Sequence, residues 1–224
     1  MALLSHAKGR RKNQSESGYS RVFGNSELGN LISRIHATKI SFGTELEKHI
    51  WNHVQKIDDL DLFLKERKYF PGVHVANKSK VKKSHLAKDK YEPDFLVFKI
   101  TDTKRHCYLL EVKDGDQFDT KKSLGEKKHL EDFRNHISRQ IEFPVSIGIC
   151  CFHTTRKEDI ISGFKKKISE DEALTGIELC RLLEIDYDKI IDLEKTDRQE
   201  NLKCLAEEIV KIPALFDLIK KHLP

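Results

Sequence analysis

The sequence predicts an α/β fold, in which helices flank a mixed β-sheet and a helical region is added at the C-terminal end. Over the first two thirds of the chain, β-rich apolar runs alternate with segments of helical apolar spacing, whereas only helical spacing follows. The composition also fits this class. A chain of 224 residues with 38% hydrophobic and 34% charged side chains is typical of a globular protein with a sizeable core.

The first predicted elements are two helices. Apolar residues recur at helical spacing over 28–35, directly after Asn25 and Ser26, either of which can cap the helix N-terminus. A second helix is predicted from residue 44, because residues 44–47 read Thr-Glu-Leu-Glu and fit a capping box. An apolar stripe over 46–57 continues this helix.

Three strands, a helix and a fourth strand are predicted next. A short strand is expected at 73–75, and two longer β-rich runs at 93–100 and 106–113 are separated by a polar turn. Helical spacing returns over 121–141, and a largely apolar run at 145–152 indicates a buried strand. This order implies a mixed sheet with helices on its faces.

The chain divides by composition into three segments. Residues 1–24 are polar and hold a basic cluster around Arg10, which is typical of a disordered or arm-like segment. Residues 25–155 contain the predicted sheet and its helices. Residues 156–224 are helical in pattern, with a break at Pro213, and are expected to belong to the same domain.

Three charged residues interrupt the two apolar runs of the predicted hairpin: Asp94, Glu111 and Lys113. Glu111 and Lys113 share a face, because side chains alternate along a strand. A turn that sets Ile100 opposite Cys107 would place Asp94 opposite Lys113, on that same face. The three charges would then form one cluster, which a slip of one residue would break.

Such a cluster suits either a metal site or a surface ion pair. Two carboxylates on one face repel each other unless a cation lies between them, and hard oxygen ligands favour Mg²⁺. A lysine beside the metal can orient a water or stabilise charge on a phosphate. The competing interpretation is a surface hairpin that carries a structural Asp–Lys pair.

The charged residues of the hairpin also fit a known sequence motif. Pro93-Asp94, followed after sixteen positions by Glu111-Val112-Lys113, resembles the PD-(D/E)XK nuclease motif, and the predicted order of elements resembles the αβββαβ restriction-endonuclease-like core. The resemblance implies Mg²⁺ held by Asp94, Glu111 and the carbonyl of Val112, and hydrolysis of DNA to 5′-phosphate ends. Residues 43–47 resemble the G-x-x-Φ-E pattern of many members, and this resemblance implies a catalytic role for Glu47. The alternative is that Glu47 only caps the predicted helix.

Charge supports a polyanionic partner. The net charge is +5, and the tail 170–224 holds 14 acidic against 8 basic residues, so the first 169 residues carry +11. The candidate DNA contacts are basic side chains near the hairpin and one amide: Lys78, Lys80, Lys82, Lys83, Lys121, Lys122 and Gln117.

Within this superfamily a stand-alone chain of this size resembles a type II restriction endonuclease that cuts double-stranded DNA. The resemblance implies a C2 homodimer that reads a palindrome, and a cognate DNA methyltransferase that protects host DNA. The alternatives are a structure-specific nuclease, such as a Holliday-junction resolvase or repair nuclease, and a DNA-binding module without chemistry. We expect a cytoplasmic protein, since no apolar run suggests a signal peptide or membrane span.

The sequence disfavours a zinc site. Cys150, Cys151 and His153 lie close together, but adjacent strand residues point to opposite faces and no CxxC pair exists. The five cysteines are odd in number and irregular in spacing, which is typical of buried thiols in a reducing compartment.

Overall fold

The structure is a computed structural model that describes residues 2–9, 18–66, 69–88, 91–115 and 120–222, but not the side chains of residues 120–122. It contains these elements, in chain order: α1 Gly18–Phe23, α2 Ser26–His53, α3 Leu60–Lys65, β1 Gly72–Asn77, α4 Lys78–Lys82, β2 Phe95–Ile100, β3 Arg105–Lys113, α5 Thr120–Ile137, β4 Val145–Cys151, α6 Lys157–Gly163, β5 Ala173–Thr175, α7 Gly176–Leu183, α8 Tyr187–Val210 and α9 Pro213–His222. Within the described ranges, no helix is both long and apolar enough to span a bilayer.

The chain forms two compact units. One comprises Glu47–Tyr187, and the other comprises Met1–Leu46 together with Asp188–Pro224. We call them the sheet unit and the helical unit. The division at residue 155 that the sequence suggests stays a prediction.

The sheet unit is built on five strands in the order β1-β2-β3-β4-β5. β1, β2 and β3 pair antiparallel, whereas β3, β4 and β5 pair parallel. The predicted mixed α/β class is therefore confirmed. Strand β5 has only three residues, too few for an alternating pattern, and the sequence did not predict it.

The predicted register of the hairpin is wrong by two residues. Ile100 lies opposite Arg105, not Cys107, and Phe95 lies opposite Leu110. The turn is tighter than expected, because the backbone N–H of Thr101 donates to the carbonyl of Lys104 over 2.8 Å. A shift of two leaves every side chain on its predicted face, since the period of a strand is two.

One face of β3 packs against α5. Cys107 and Leu109 share a core with Leu130 and Phe133 of that helix. Glu111 and Lys113 continue the same face toward the end of the strand. Leu124, one of the apolar residues that give α5 its helical spacing in the sequence, is nevertheless 48% exposed.

Helix α2 is one helix of 28 residues, where the sequence suggested two. Its N-terminal cap is as predicted, because the Asn25 side chain accepts a hydrogen bond from the N–H of Leu28 over 2.8 Å. The apparent capping box at residues 44–47 lies far inside this helix. Helix α8 is also long, with 24 residues from Tyr187 to Val210.

In the helical unit, residues 2–9 pack against α8 and so differ from the arm-like segment the sequence suggests. Leu4 is buried with Leu31 and Ile212. The N–H of Ala2 donates to the buried carboxylate of Asp197 over 2.9 Å. The remainder of the predicted basic cluster, residues 10–12, lies outside the described residues.

Candidate active site

The four predicted catalytic side chains lie in the sheet unit, on three different elements. Asp94 directly precedes β2, Glu111 and Lys113 end β3, and Glu47 lies on α2. Asp94 and Glu111 are buried, with 6% and 7% of their surfaces exposed, whereas Glu47 and Lys113 are half-buried. Extending the β2–β3 register by one step sets Asp94 beside Glu111, on the face that carries α5.

Hydrogen bonds fix the two acids of the hairpin. The N–H of Val112 donates to Oδ2 of Asp94 over 2.9 Å, which ties the start of β2 to the end of β3. Lys113 Nζ donates to Oε1 of Glu111 over 2.6 Å. The hydroxyl of Tyr91 donates to the other oxygen of Glu111, Oε2, over 3.2 Å. Glu111 therefore has a donor on each of its oxygens.

The carboxyl groups of the site have raised pKa values. Burial, followed by the charge of Glu47, raises the pKa of Asp94 to about 6. Burial, followed by the charge of Asp94, raises the pKa of Glu111 to about 7. Burial and the charge of Glu111 also raise the pKa of Glu47. These mutual effects indicate that the three acids lie close enough to disfavour one another's charged forms.

Lys113 stays protonated in this environment. Burial alone would lower the pKa of its ammonium group, but the carboxylates of Glu111 and Glu126 raise that pKa overall. A second lysine, Lys78, acts from the exposed start of α4, since its charge lowers the pKa of both Glu47 and Asp94. Its backbone N–H also donates to the carbonyl of Asp94 over 3.0 Å.

Glu47 does not cap a helix. It lies 21 positions after the first residue of α2, where backbone amides already bond within the helix. Leu46 and Ile50 are buried beside it, so Glu47 stands at the edge of an apolar stripe, and it lies near enough to Glu111 for that charge to raise its pKa. The alternative structural role at a helix end is thus excluded.

Two residues of the site, Tyr91 and Glu126, are not predicted from the sequence. Glu126 lies on α5, with its Oε1 atom 3.2 Å from Lys113 Nζ. The sequence does contain a signal for it, because Glu126 precedes Leu130 and Phe133 by four and seven residues. It is therefore an acid within the buried stripe of a helix. Tyr91 has no such signal, since it lies in an irregular segment between β1 and β2.

The candidate DNA-binding lysines differ in their surroundings. Lys78, Lys82 and Lys83 are exposed on or next to α4, and Lys80 donates to the carbonyl of Asp58 over 2.6 Å. The side chains of Lys121 and Lys122, and all of Gln117, lie outside the described residues.

The donor set at the site fits a hard cation more than zinc. Across the described ranges, no group of three or more His, Cys, Asp or Glu side chains could hold a metal ion. Two carboxylates and one main-chain carbonyl, completed by water and phosphate, form a different kind of site that suits Mg²⁺. Cys150 and Cys151 are fully buried, and no disulfide joins any of the five cysteines, all of which are described.

Comparison with known proteins identifies the chain's relatives. It matches no protein-family profile and no solved structure. It is 42% identical over 229 residues to the type II restriction enzyme HhaII of Haemophilus parahaemolyticus, an alignment that covers 99% of this chain and 100% of that enzyme. Similarity over the full length favours this assignment over a structure-specific nuclease or a DNA-binding module without chemistry. The chain therefore belongs to the type II restriction enzymes, the site-specific endonucleases that cut DNA.

Proposed function

We propose that the enzyme is a PD-(D/E)XK nuclease that hydrolyses double-stranded DNA with Mg²⁺ held by Asp94, Glu111 and the carbonyl of Val112. The observation that carries this is the buried pair Asp94 and Glu111 on one face of the hairpin, with the Lys113 ammonium 2.6 Å from Glu111; the raised pKa values of both acids agree with it. Buried carboxylates that lie close together repel one another, and a cation between them favours their charged forms.

The surroundings of Val112 support the carbonyl as a ligand. Its N–H points toward Asp94, and the N–H and C=O of one strand residue point to the same side. Continuing the β2–β3 register by two steps sets Pro93 beside Val112. Proline has no N–H, so it cannot occupy that carbonyl with a ladder hydrogen bond.

The chemistry is in-line displacement at phosphorus. Bound Mg²⁺ supplies Lewis acidity at the scissile phosphate. Lys113, as an ammonium, donates hydrogen bonds to a phosphate oxygen and orients the attacking water, and Glu47 adds a third carboxylate on the same side. The water oxygen bonds to phosphorus and gives up a proton, while the P–O3′ bond breaks and the 3′ oxygen takes up a proton. The products are a 5′-phosphate and a 3′-hydroxyl.

The remaining parts of the protein serve recognition. The lysines at and beside α4 contact the phosphate backbone, as do Lys121, Lys122 and Gln117 near the start of α5. The region 156–224 contributes to DNA recognition, dimerisation or both, as a C2 homodimer requires for a palindromic site. A cognate methyltransferase protects the host DNA, and the enzyme acts in the cytoplasm.

The test is a set of side-chain replacements with nearly unchanged size. We expect Asp94→Asn, Glu111→Gln and Lys113→Met each to lower Mg²⁺-dependent plasmid cleavage by at least about 100-fold, because each removes a group that acts on the transition state. Glu47→Gln is expected to lower it by about 10-fold. DNA binding measured in Ca²⁺ should stay within about twofold of wild type, since most affinity comes from phosphate contacts elsewhere.

Matched controls lie away from the site. Glu178→Gln changes a carboxylate at the start of α7, and Lys99→Met changes a lysine of β2 near the opposite end of the hairpin. Both should cut at the wild-type rate. Near wild-type cleavage by the Asp94, Glu111 or Lys113 variant would overturn the assignment.

A further inference from the structure

The Lys113 ammonium is shared between two carboxylates from different elements. Its Nζ atom lies 2.6 Å from Oε1 of Glu111 and 3.2 Å from Oε1 of Glu126. All three side chains are largely buried, with 20% of Lys113, 9% of Glu111 and 18% of Glu126 exposed. Glu126 is outside the nuclease motif and reaches the site from α5.

A cation on Glu111 conflicts with this arrangement. Tyr91 already donates to Oε2 of Glu111, and Lys113 occupies Oε1. A divalent cation bound at Oε1 would repel an ammonium that remained 2.6 Å from the same atom. Lys113 must therefore loosen its bond to Glu111 when the metal binds, yet stay near the phosphate to act there.

Glu126 offers the place to which Lys113 can turn. An ammonium carries three protons, so Lys113 can keep one bond to Glu126 while it releases Glu111. Helix α5 holds Glu126 firmly, because Leu130 and Phe133 on the same stripe are fully buried against the sheet. A short rotation of the lysine end then exchanges partners without moving either backbone.

We propose that Glu126 is a positioning residue that holds the Lys113 ammonium beside the scissile phosphate when Glu111 turns to the metal. This inference rests on the proposed function, because it assumes that Glu111 is a metal ligand and that Lys113 acts in cleavage. Glu126 itself acts through Lys113 and contacts neither metal nor DNA.

The first test measures metal binding without DNA. Ca²⁺ is titrated by calorimetry into wild type, Glu126→Gln, Lys113→Met and the double variant, with melting in EDTA as the check of folding. Without Glu126 the lysine pairs with Glu111 alone and competes with the cation, so Glu126→Gln should weaken Ca²⁺ binding by about tenfold in the wild-type background. In the Lys113→Met background that competitor is gone, and the same change should weaken binding by less than about threefold.

Equal effects in both backgrounds would show that Glu126 acts on the cation directly, which overturns the proposal. No effect in either background would overturn it as well. In both of these cases the proposed function stands, provided that Lys113→Met abolishes cleavage. If Lys113→Met still cuts, the proposed function itself fails.

The second test separates positioning from binding in the reaction. At a Mg²⁺ concentration that saturates both proteins, Glu126→Gln should lower kcat by about tenfold while KM and the Kd for DNA stay unchanged, because only the contact of Lys113 with the transition state is weakened. Glu126→Asp keeps the charge but shortens the reach, so it should restore only part of kcat. Full recovery by Glu126→Asp would indicate a charge effect at a distance and would contradict positioning. Glu131→Gln, farther along α5 beside Lys127, is the matched control and should leave kcat unchanged.

Discussion

Among the tetrads of the form Thr-x-x-Glu, the structure uses those at residues 44–47 and 175–178 in opposite ways. The second is a true capping box, since the Thr175 N–H donates to the Glu178 carboxylate over 3.0 Å and the Glu178 N–H donates to the Thr175 hydroxyl over 3.2 Å. The first lies inside α2, where its glutamate faces other acids. A motif of four residues therefore does not determine whether its glutamate caps a helix or lies among other acids.

The pKa directions express the difference between the two regions. Burial alone would raise the pKa of Glu178, but hydrogen bonds from Thr175 and Lys157 lower it overall. The pKa of Glu47 is raised, as are those of Asp94 and Glu111. The charged form of Glu178 is therefore favoured in the folded protein, whereas the charged forms of the three site acids are disfavoured, and a bound cation would favour them.

The largest expected effect is stabilisation by a divalent cation in the absence of DNA. At pH 8 and a Mg²⁺ or Ca²⁺ concentration 100 times Kd, the free energy of unfolding should rise by about 2.7 kcal/mol. Thermal melting measures this. Asp94→Asn and Glu111→Gln should lose the effect, and Glu178→Gln should keep it. If the cation still stabilises Asp94→Asn and Glu111→Gln, it does not act through these acids, and the expected difference from the capping box is wrong.

The same residues show which parts of the fold and of the site the sequence predicts. The strands around Asp94, Glu111 and Lys113 were predicted because their alternation is strong, and the shared face survived an error of two residues in register. The extent of α2 was not predicted, because Gly43 and the apparent capping box mimic a helix start, and local propensity cannot show that the helix continues through them. Tyr91 and Glu126 were missed because the contacts that place them, with Glu111 and Lys113, are tertiary.

The next effect is the pH dependence of stability without metal. The folded pKa values of Asp94 and Glu111, about 6 and about 7, lie above their ordinary values of 3.8 and 4.5. The folded state then binds protons more tightly, so this contribution is fully present below about pH 4 and is lost as pH rises to about 7. Urea unfolding in EDTA from pH 4 to pH 8 measures it.

Comparison with a variant isolates that contribution from the rest of the protein. The double variant Asp94→Asn/Glu111→Gln lacks both titrations, so wild type should lose at least about 2 kcal/mol relative to it across this pH window. Parallel pH profiles for the two proteins would mean that the acids are not crowded in solution.

The smallest effect compares the two glutamates of the tetrads directly. Glu178→Gln retains a cap acceptor but loses the negative charge at the start of α7 and the ion pair with Lys157, 3.1 Å away, so stability should fall by about 0.5–1 kcal/mol at pH 8. Glu47→Gln removes a charge that burial and Glu111 already disfavour, so in EDTA its stability should rise. The two variants are therefore expected to change the free energy of unfolding in opposite directions. Urea unfolding of both proteins under one condition tests whether each carboxylate stabilises the fold or serves the reaction. If Glu47→Gln destabilises the metal-free protein as Glu178→Gln does, Glu47 belongs to the fold.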